Sequence, residues 1–465
     1  MVLRHWTRGR GIGVALAVSL SGLTILWLSV GAVVVPISSH YLVTVRAENP
    51  RLTEIEASLA VQGDILEMDG GYAEHLPDRW AKFVHELSAS DPADRPIALQ
   101  YLGGARWRIP APLPRTIRLR YHVTLDHDKE DWPFGAKEAA YGKRDWYFYT
   151  SRTLFIGHSR LTGTSVQFRL PDGWMATTPW SDVPGEHDTF RVPNFQELAN
   201  VALVLGQYAK RRVLSGGSEV TIALGVDLAD AMDLFESTLE PLLPAATKLF
   251  AGAPAGKFVV LANRATYSSG GAFIRSVSMV FKDPPSAESR SELGHFLGHE
   301  LVHLWLGNAI QASEVEKEYW LSEGFTDYLS YRLLVDVGLM RRPELANVFA
   351  DESKKYMAHA GQLSLRAAGL EKDKNYDLVY SGGFMTALAL DSETRQRSGG
   401  ARDLYTMMRQ MYRDFGGPGK RYTFEDVVRI AGKTAGSADV SRLLRDCVAG
   451  TQIIDTRKYL NNPRS

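Results

Sequence analysis

His299-Glu300-Leu301-Val302-His303 sets two imidazoles four residues apart, with a carboxylate beside the first. On a helix such residues lie about 40° apart around the axis and roughly 6 Å along it, so both rings reach one ion. Imidazole nitrogens hold a divalent ion at about 2.0–2.1 Å. Glu300, next to the first ligand, then sits beside water on that ion and suits a general base. So short a pattern also arises by chance in ordinary helices, and a third ligand is the test. Nineteen residues separate His303 from Glu323, which stands in Trp320-Leu-Ser-Glu323-Gly-Phe-Thr-Asp327-Tyr328. Glu323 is the expected third ligand, from a second helix packed on the first. Asp327, one turn later on the same face, is placed to accept the free N–H of a ligating histidine. As plain solvated helix charges, Glu323 and Asp327 would not need the paired histidines upstream. Two histidines and one carboxylate favour Zn2+, one ion per chain.

These residues resemble the gluzincins, the thermolysin-like zinc peptidases. Leu304-Trp305-Leu306-Gly307-Asn308 is similar to the Trp-x-Gly-Asn of the aminopeptidase N family, and the Ser-Glu-Gly-Phe-Thr-Asp-Tyr run at 322–328 resembles both that family and the glycyl aminopeptidases. The gap before Glu323 is one residue longer than is usual in aminopeptidase N, which enlarges the loop around residues 313–317. The resemblance spans about residues 110–400 and implies hydrolysis of peptide bonds. It also implies that Tyr380, in Tyr380-Ser381-Gly382-Gly383, hydrogen-bonds the oxyanion, although the family's lysine is replaced by glycine there; Tyr376 is the rival. Gly270-Gly271-Ala272 stands where the family has a substrate-binding strand, but the acid that would hold a substrate's amino terminus is replaced by Phe273 or Ile274. The resemblance therefore leaves exopeptidase and endopeptidase action open. A binding module that had kept the scaffold but lost its chemistry, or a different zinc hydrolase, are the rival readings; a pseudoenzyme would be expected to lack a ligand or the base, and none is missing.

Other residues carry less chemistry. His295, one turn before His299, is expected behind the ligands or packed. Trp305 and Trp320 are expected in the core or cleft wall, and Arg275 as a solvated strand-end charge. The single cysteine, Cys447, excludes an intramolecular disulfide and is expected buried in a C-terminal helix.

The elements that must position this set fall into an α+β order. Thr116-Ile-Arg-Leu-Arg-Tyr-His-Val-Thr-Leu125 alternates apolar and polar residues as a half-buried strand does. Similar runs at 145–149, 165–170 and 219–224 give a β-rich domain over residues 37–226, with a helix expected near 80–87. A thermolysin-like catalytic domain follows over residues 227–370. Its helix at 227–250 is expected to break at Pro241 and Pro244. Its strands are expected at 257–262 and 276–281. Its motif helix is expected to open with a Ser289/Glu292 capping box and to run to Gly307. A helical region, residues 371–465, has glycine breaks at 382–383, 399–400 and 416–419.

Residues 1–10 carry Arg4, Arg8 and Arg10, and 11–36 are uncharged. About 25 residues at 1.5 Å rise cover roughly 37 Å, enough for a bilayer. The reading is an uncleaved transmembrane anchor, with a removed signal peptide as the alternative, a cytoplasmic N-terminus and an extracytoplasmic body, periplasmic in a Gram-negative cell. Lys+Arg and Asp+Glu both number 53, so net charge gives no footprint for nucleic acid. The expected partners are a peptide or protein substrate and, through the anchor, a membrane.

Overall fold

The computed structural model describes residues 39–460, apart from 70, 126, 128–131, 133–138, 144 and 418. The expected anchor at 11–36 lies outside the described residues. Among those described, no helix is long and apolar enough to cross a membrane.

Alternation builds the first half. In Thr116–Thr124 the side chains of Ile117, Leu119, Tyr121 and Val123 point inward and Arg118 and Arg120 outward, the two-residue period of a strand with one wet face. It pairs antiparallel with Leu52–Ala60 and Val84–Ser90 inside a seven-stranded sheet. A four-stranded sheet, with Trp146–Thr150 and Ala202–Gly206 at its centre, packs its own buried face nearby. The helix expected near 80–87 is a correction. Only Arg79–Phe83 forms a 3-10 turn, sinking Trp80 and Phe83 into the core, and Val84–Ser90 is drawn into the ladder with Thr116–Thr124.

The second half is built on a five-stranded mixed sheet in the order Tyr208–Ser215, Ser218–Gly225, Lys257–Arg264, Ser276–Phe281, Ser269–Phe273. Its first hairpin turns at Gly216 and Gly217, both with positive φ, a backbone that glycine adopts without strain. That hairpin pairs in parallel with Lys257–Arg264, so this sheet begins at residue 208, ahead of the boundary expected at 227. A small cluster including Trp146, Phe148, Val204, Tyr208, Val259 and Phe273 joins the two halves.

Three helical expectations are corrected. Met232–Phe250 runs unbroken through Pro241 and Pro244. Burial of Phe235, Leu239, Leu242, Leu243 and Leu249 outweighs the local penalty of proline, about 3 kcal/mol. The motif helix is Arg290–Val302, without the capping box: the Ser289 hydroxyl donates instead to the Ser286 carbonyl. It stops before Gly307 because residues 303–305 tighten into turns, yet His303 keeps right-handed helical angles. Gly382-Gly383 is no break. Both lie buried inside Tyr376–Arg397, for a packing reason taken up below. Cys447 is buried in a π-helical turn, Arg445–Ala449, and burial followed by the nearby Asp446 pushes its thiol up to about 11.

Candidate metal centre

The motif helix presents His299 and His303 toward the junction between Tyr319–Ser322 and Gly324–Asp336, where Glu323 sits. The two Nε2 atoms are 3.0 Å apart, and Glu323 Oε2 lies 3.7 Å from the first and 3.4 Å from the second. Each ring is oriented from behind. His299 Nδ1 donates to Asp327 Oδ1 at 2.8 Å, and His303 Nδ1 donates to the Leu306 carbonyl at 3.0 Å. Both Nε2 atoms therefore face each other and a carboxylate, a donor set open to a cation between them. Four ligands at about 2.0–2.1 Å around a tetrahedral ion stand roughly 3.3 Å apart, so the donor set and its spacing fit zinc.

Charge is concentrated here. Burial pushes the His299 imidazole down, but Asp327 foremost, then Glu323 and Glu300, outweigh it and hold it well above its ordinary value. Glu323 is held well below the carboxylate range: Lys372, His299 and His303 overcome its burial. Lys372 Nζ sits 3.1 Å from Glu323 Oε1, on the oxygen turned away from the histidines. Asp327 Oδ1 also accepts from His295 Nε2 at 3.2 Å, and His295 stacks on Tyr331 with ring centres 3.8 Å apart. His295 thus lies behind His299, sharing its Asp327 partner.

The edge strand Ser269–Phe273 runs beside the motif helix. A Cβ on Gly270 would lie 2.2 Å from Glu300 Oε1; only glycine lets the buried Glu300 carboxylate rest against this strand. Gly270, Gly271 and Ala272 line one wall of a cleft of about 480 Å³ that holds His299, Glu300, His303, Glu323 and Tyr380. The Tyr380 ring stacks 6.4 Å from that of His299, and its phenol is raised well above its usual value, by burial first and by Glu323 next. Tyr376 stacks on the outer face of Tyr380 at 4.1 Å, is 56 % exposed, and is not among the cleft-lining residues. Trp305 and Trp320 are fully buried. Arg275 corrects an expectation: it is mostly buried and paired with Glu197, and burial lowers its guanidinium to about 10.

The structure adds residues that no motif announced. Lys372, Tyr72, Asn200, Glu318 and Arg421 all line the cleft. Lys372 lies in a charged turn, and Tyr72 and Asn200 come from the β-rich half, where nothing in their local sequence marks them.

Residues 263–379 match the peptidase family M1 domain, and residues 72–207 match the peptidase M61 N-terminal domain. The curated relatives include leucine aminopeptidase 2 of Saccharomyces cerevisiae, 32% identical over 108 residues, 23% of this chain and 16% of that protein. Leucine aminopeptidase 2 of Lodderomyces elongisporus is 26% identical over 292 residues, 58% of this chain and 44% of its own. The chain thus spans less than half the length of these relatives. Among solved structures, an aminopeptidase N family protein from Idiomarina loihiensis superposes with a TM-score of 0.77 at 18% identity, covering 91% of this chain and 78% of that one. An M1 zinc metallopeptidase variant from Deinococcus radiodurans, bound to a Tyr-Ser-Ala substrate, gives 0.62 at 14% identity, covering 90% and 95%. These two share the fold, with its β-rich first part and helical end.

Proposed function

From a chain that carries a peptidase family M1 zinc-metallopeptidase domain behind a peptidase M61 N-terminal domain, we propose a membrane-anchored, zinc-dependent peptidase with Glu300 as its general base. The observation that carries this reading is the triangle of His299 Nε2, His303 Nε2 and Glu323 Oε2 beside the Glu300 carboxylate. Bound by those three residues, zinc supplies a Lewis acid for the scissile carbonyl and acidifies water. Glu300 takes the proton of the attacking water and delivers it to the leaving amine. Tyr380 donates its phenolic hydrogen to the carbonyl oxygen as negative charge develops there. Asp327 holds the His299 tautomer. Gly270, Gly271 and Ala272 give the substrate backbone a bare strand edge to pair with.

Glu300→Gln tests the chemistry directly: zinc content stays at one per chain while turnover of a peptide mixture falls by about 10³ or more. Turnover within tenfold of the parent rules Glu300 out as the base. The uncharged stretch behind Arg4, Arg8 and Arg10 supports the anchor and an extracytoplasmic body. Release of the chain from membranes by alkaline carbonate would contradict it.

A further inference from the structure

The proposed peptidase reading leaves open which end of a peptide this cleft accepts, and the charges around it bear on that question. An α-ammonium on the residue to be released lies only about 2.5 Å from the scissile carbonyl carbon. Any carboxylate that neutralises it must therefore line the same cleft. The acids in that lining are Glu300, Glu318 and Glu323. Glu300 is the proposed base. Glu323 faces the two histidines with one oxygen and Lys372 with the other. Glu318 is fully buried, one oxygen taken by Trp320 Nε1 at 2.8 Å and the other by Arg366 at 2.8–2.9 Å. Each acid already has a cation, a donor or a task.

The wall beyond the edge strand carries the opposite charge. Arg152 is 4 % exposed, and a Cβ on Gly71 would lie 3.0 Å from its Nη1 and 3.1 Å from Asp69 Oδ1. Its Nη2 donates to Asn200 Oδ1 at 2.9 Å, its Nε has no partner, and its guanidinium lies 4.7 Å from the Tyr72 ring centre and 5.8 Å from that of Phe273. Tyr72 is held at φ 65°, a conformation that costs a non-glycine residue and persists where its surroundings impose it. Asn200 is pinned beside the strand by its carbonyl, which accepts from the Ile274 amide at 2.9 Å. Asp69, the nearest acid to this wall in the hydrogen-bond chain, accepts from Asn200 Nδ2 at 3.0 Å and from the Gly71 amide at 2.9 Å. Asp69 faces a separate cavity with Glu67, Arg79 and Arg106. Toward the substrate, this wall offers neutral Tyr72 and Asn200 with a buried cation behind them. Burying an ammonium there leaves it without a counter-charge and beside a like charge.

We infer that the cleft takes peptides whose residue at the scissile bond has no free ammonium, an internal segment or an N-acylated end, against the Tyr72–Asn200 wall. This inference rests on the peptidase reading, and a binding measurement separates the two. The zinc-loaded full chain carrying Glu300→Gln is titrated calorimetrically with a tetrapeptide and its N-acetylated twin, at pH 6.5 and pH 9.5. At pH 6.5 the acetylated twin binds at least about tenfold more tightly. At pH 9.5 the gap closes to less than about threefold, because a peptide amine with a pKa of about 7.7–8.0 has lost its proton. Equal or tighter binding of the free amine at pH 6.5 overturns the inference, as does binding of neither peptide. A gap unchanged at pH 9.5 also overturns it, since the discrimination would then be one of shape. Chelator-sensitive turnover by the parent chain tests the peptidase reading separately.

Discussion

Tyr380 and Tyr376 stack on one another one turn apart, yet only Tyr380 reaches the cleft. The two substitutions should therefore part company. Tyr380→Phe removes one donor to a developing oxyanion and should lower kcat by about 10²–10³ with KM little changed. Tyr376→Phe should stay within threefold on both constants. Steady-state kinetics on one peptide decides it; equal losses in the two variants would mean that the pair acts as a stacked unit and that neither hydroxyl is the donor. At this scale the sequence was unusually informative. Spacing paired His299 with His303 and Glu323 with Asp327, because helix geometry turns a gap of four residues into a shared face; that the two pairs face one another was an expectation of helix packing. Lys372 and Asn200 escaped it, because what brings them to the cleft is the crossing of elements far apart in the chain.

Helix crossings explain the buried glycines. A Cβ on Gly383 would lie 1.9 Å from the Trp320 carbonyl, and one on Gly324 would lie 2.4 Å from Gly383 Cα. The helix carrying Tyr380 thus presses backbone to backbone on the segment carrying Glu323. Gly383→Ala should cost about 3 kcal/mol or more by overpacking and should weaken zinc binding as well, since the helix cannot back away without moving Glu323. Thermal melts with and without zinc measure both effects; a variant with unchanged metal affinity would show that the two helices move independently. In sequence, paired glycines read as a break because local propensity favours that, and nothing local reports a backbone arriving from residue 320. Pro241 and Pro244 misled in the same way. Strands were easier: Ser276–Phe281 ends where the apolar run ends, since a buried strand writes its bounds in its own composition. A second contact between elements depends on pH. Glu393, buried in the helix carrying Tyr380, takes Lys458 and Tyr459 of the last helix, Thr456–Leu460, and Arg397 of its own. Burial pushes its carboxyl up, but Lys458 and then Arg397 outweigh that and lower it. A lowered folded value means the contribution is present above the unfolded value of about 4.3 and is lost as pH falls through the folded one. Glu393→Gln should therefore cost about 1.5–3 kcal/mol at pH 7, and the difference should fade only as pH drops below the unfolded value of about 4.3 and through the folded one, read from melting temperatures from pH 7 downward.

Across the whole molecule, the two halves meet at the edge strand's end, and the substrate wall is assembled from both. Glu197 of the β-rich half pairs with Arg275, the Ala202 amide donates to Ser276 Oγ at 2.9 Å, and Phe273 sits in the small joining core. The boundary expected at 227 fell late because the hairpin at 208–225 has the composition of its predecessors; only its parallel pairing with Lys257–Arg264 gives its allegiance away. The far end of the chain carries a different kind of information. A thiol raised to about 11 has almost no thiolate at neutral pH, and Cys447 is 7 % exposed in its π-helical turn. As the chain's one cysteine, it makes modification by a thiol reagent a clock for the opening of the C-terminal helices. That clock should run slowly in the parent and measurably faster at pH 7 in Glu393→Gln. Labelling as fast as that of a free thiol peptide would mean that the C-terminal helices stand open in solution. Any dye placed there would report undocking from a single address, without a second site to confuse the signal.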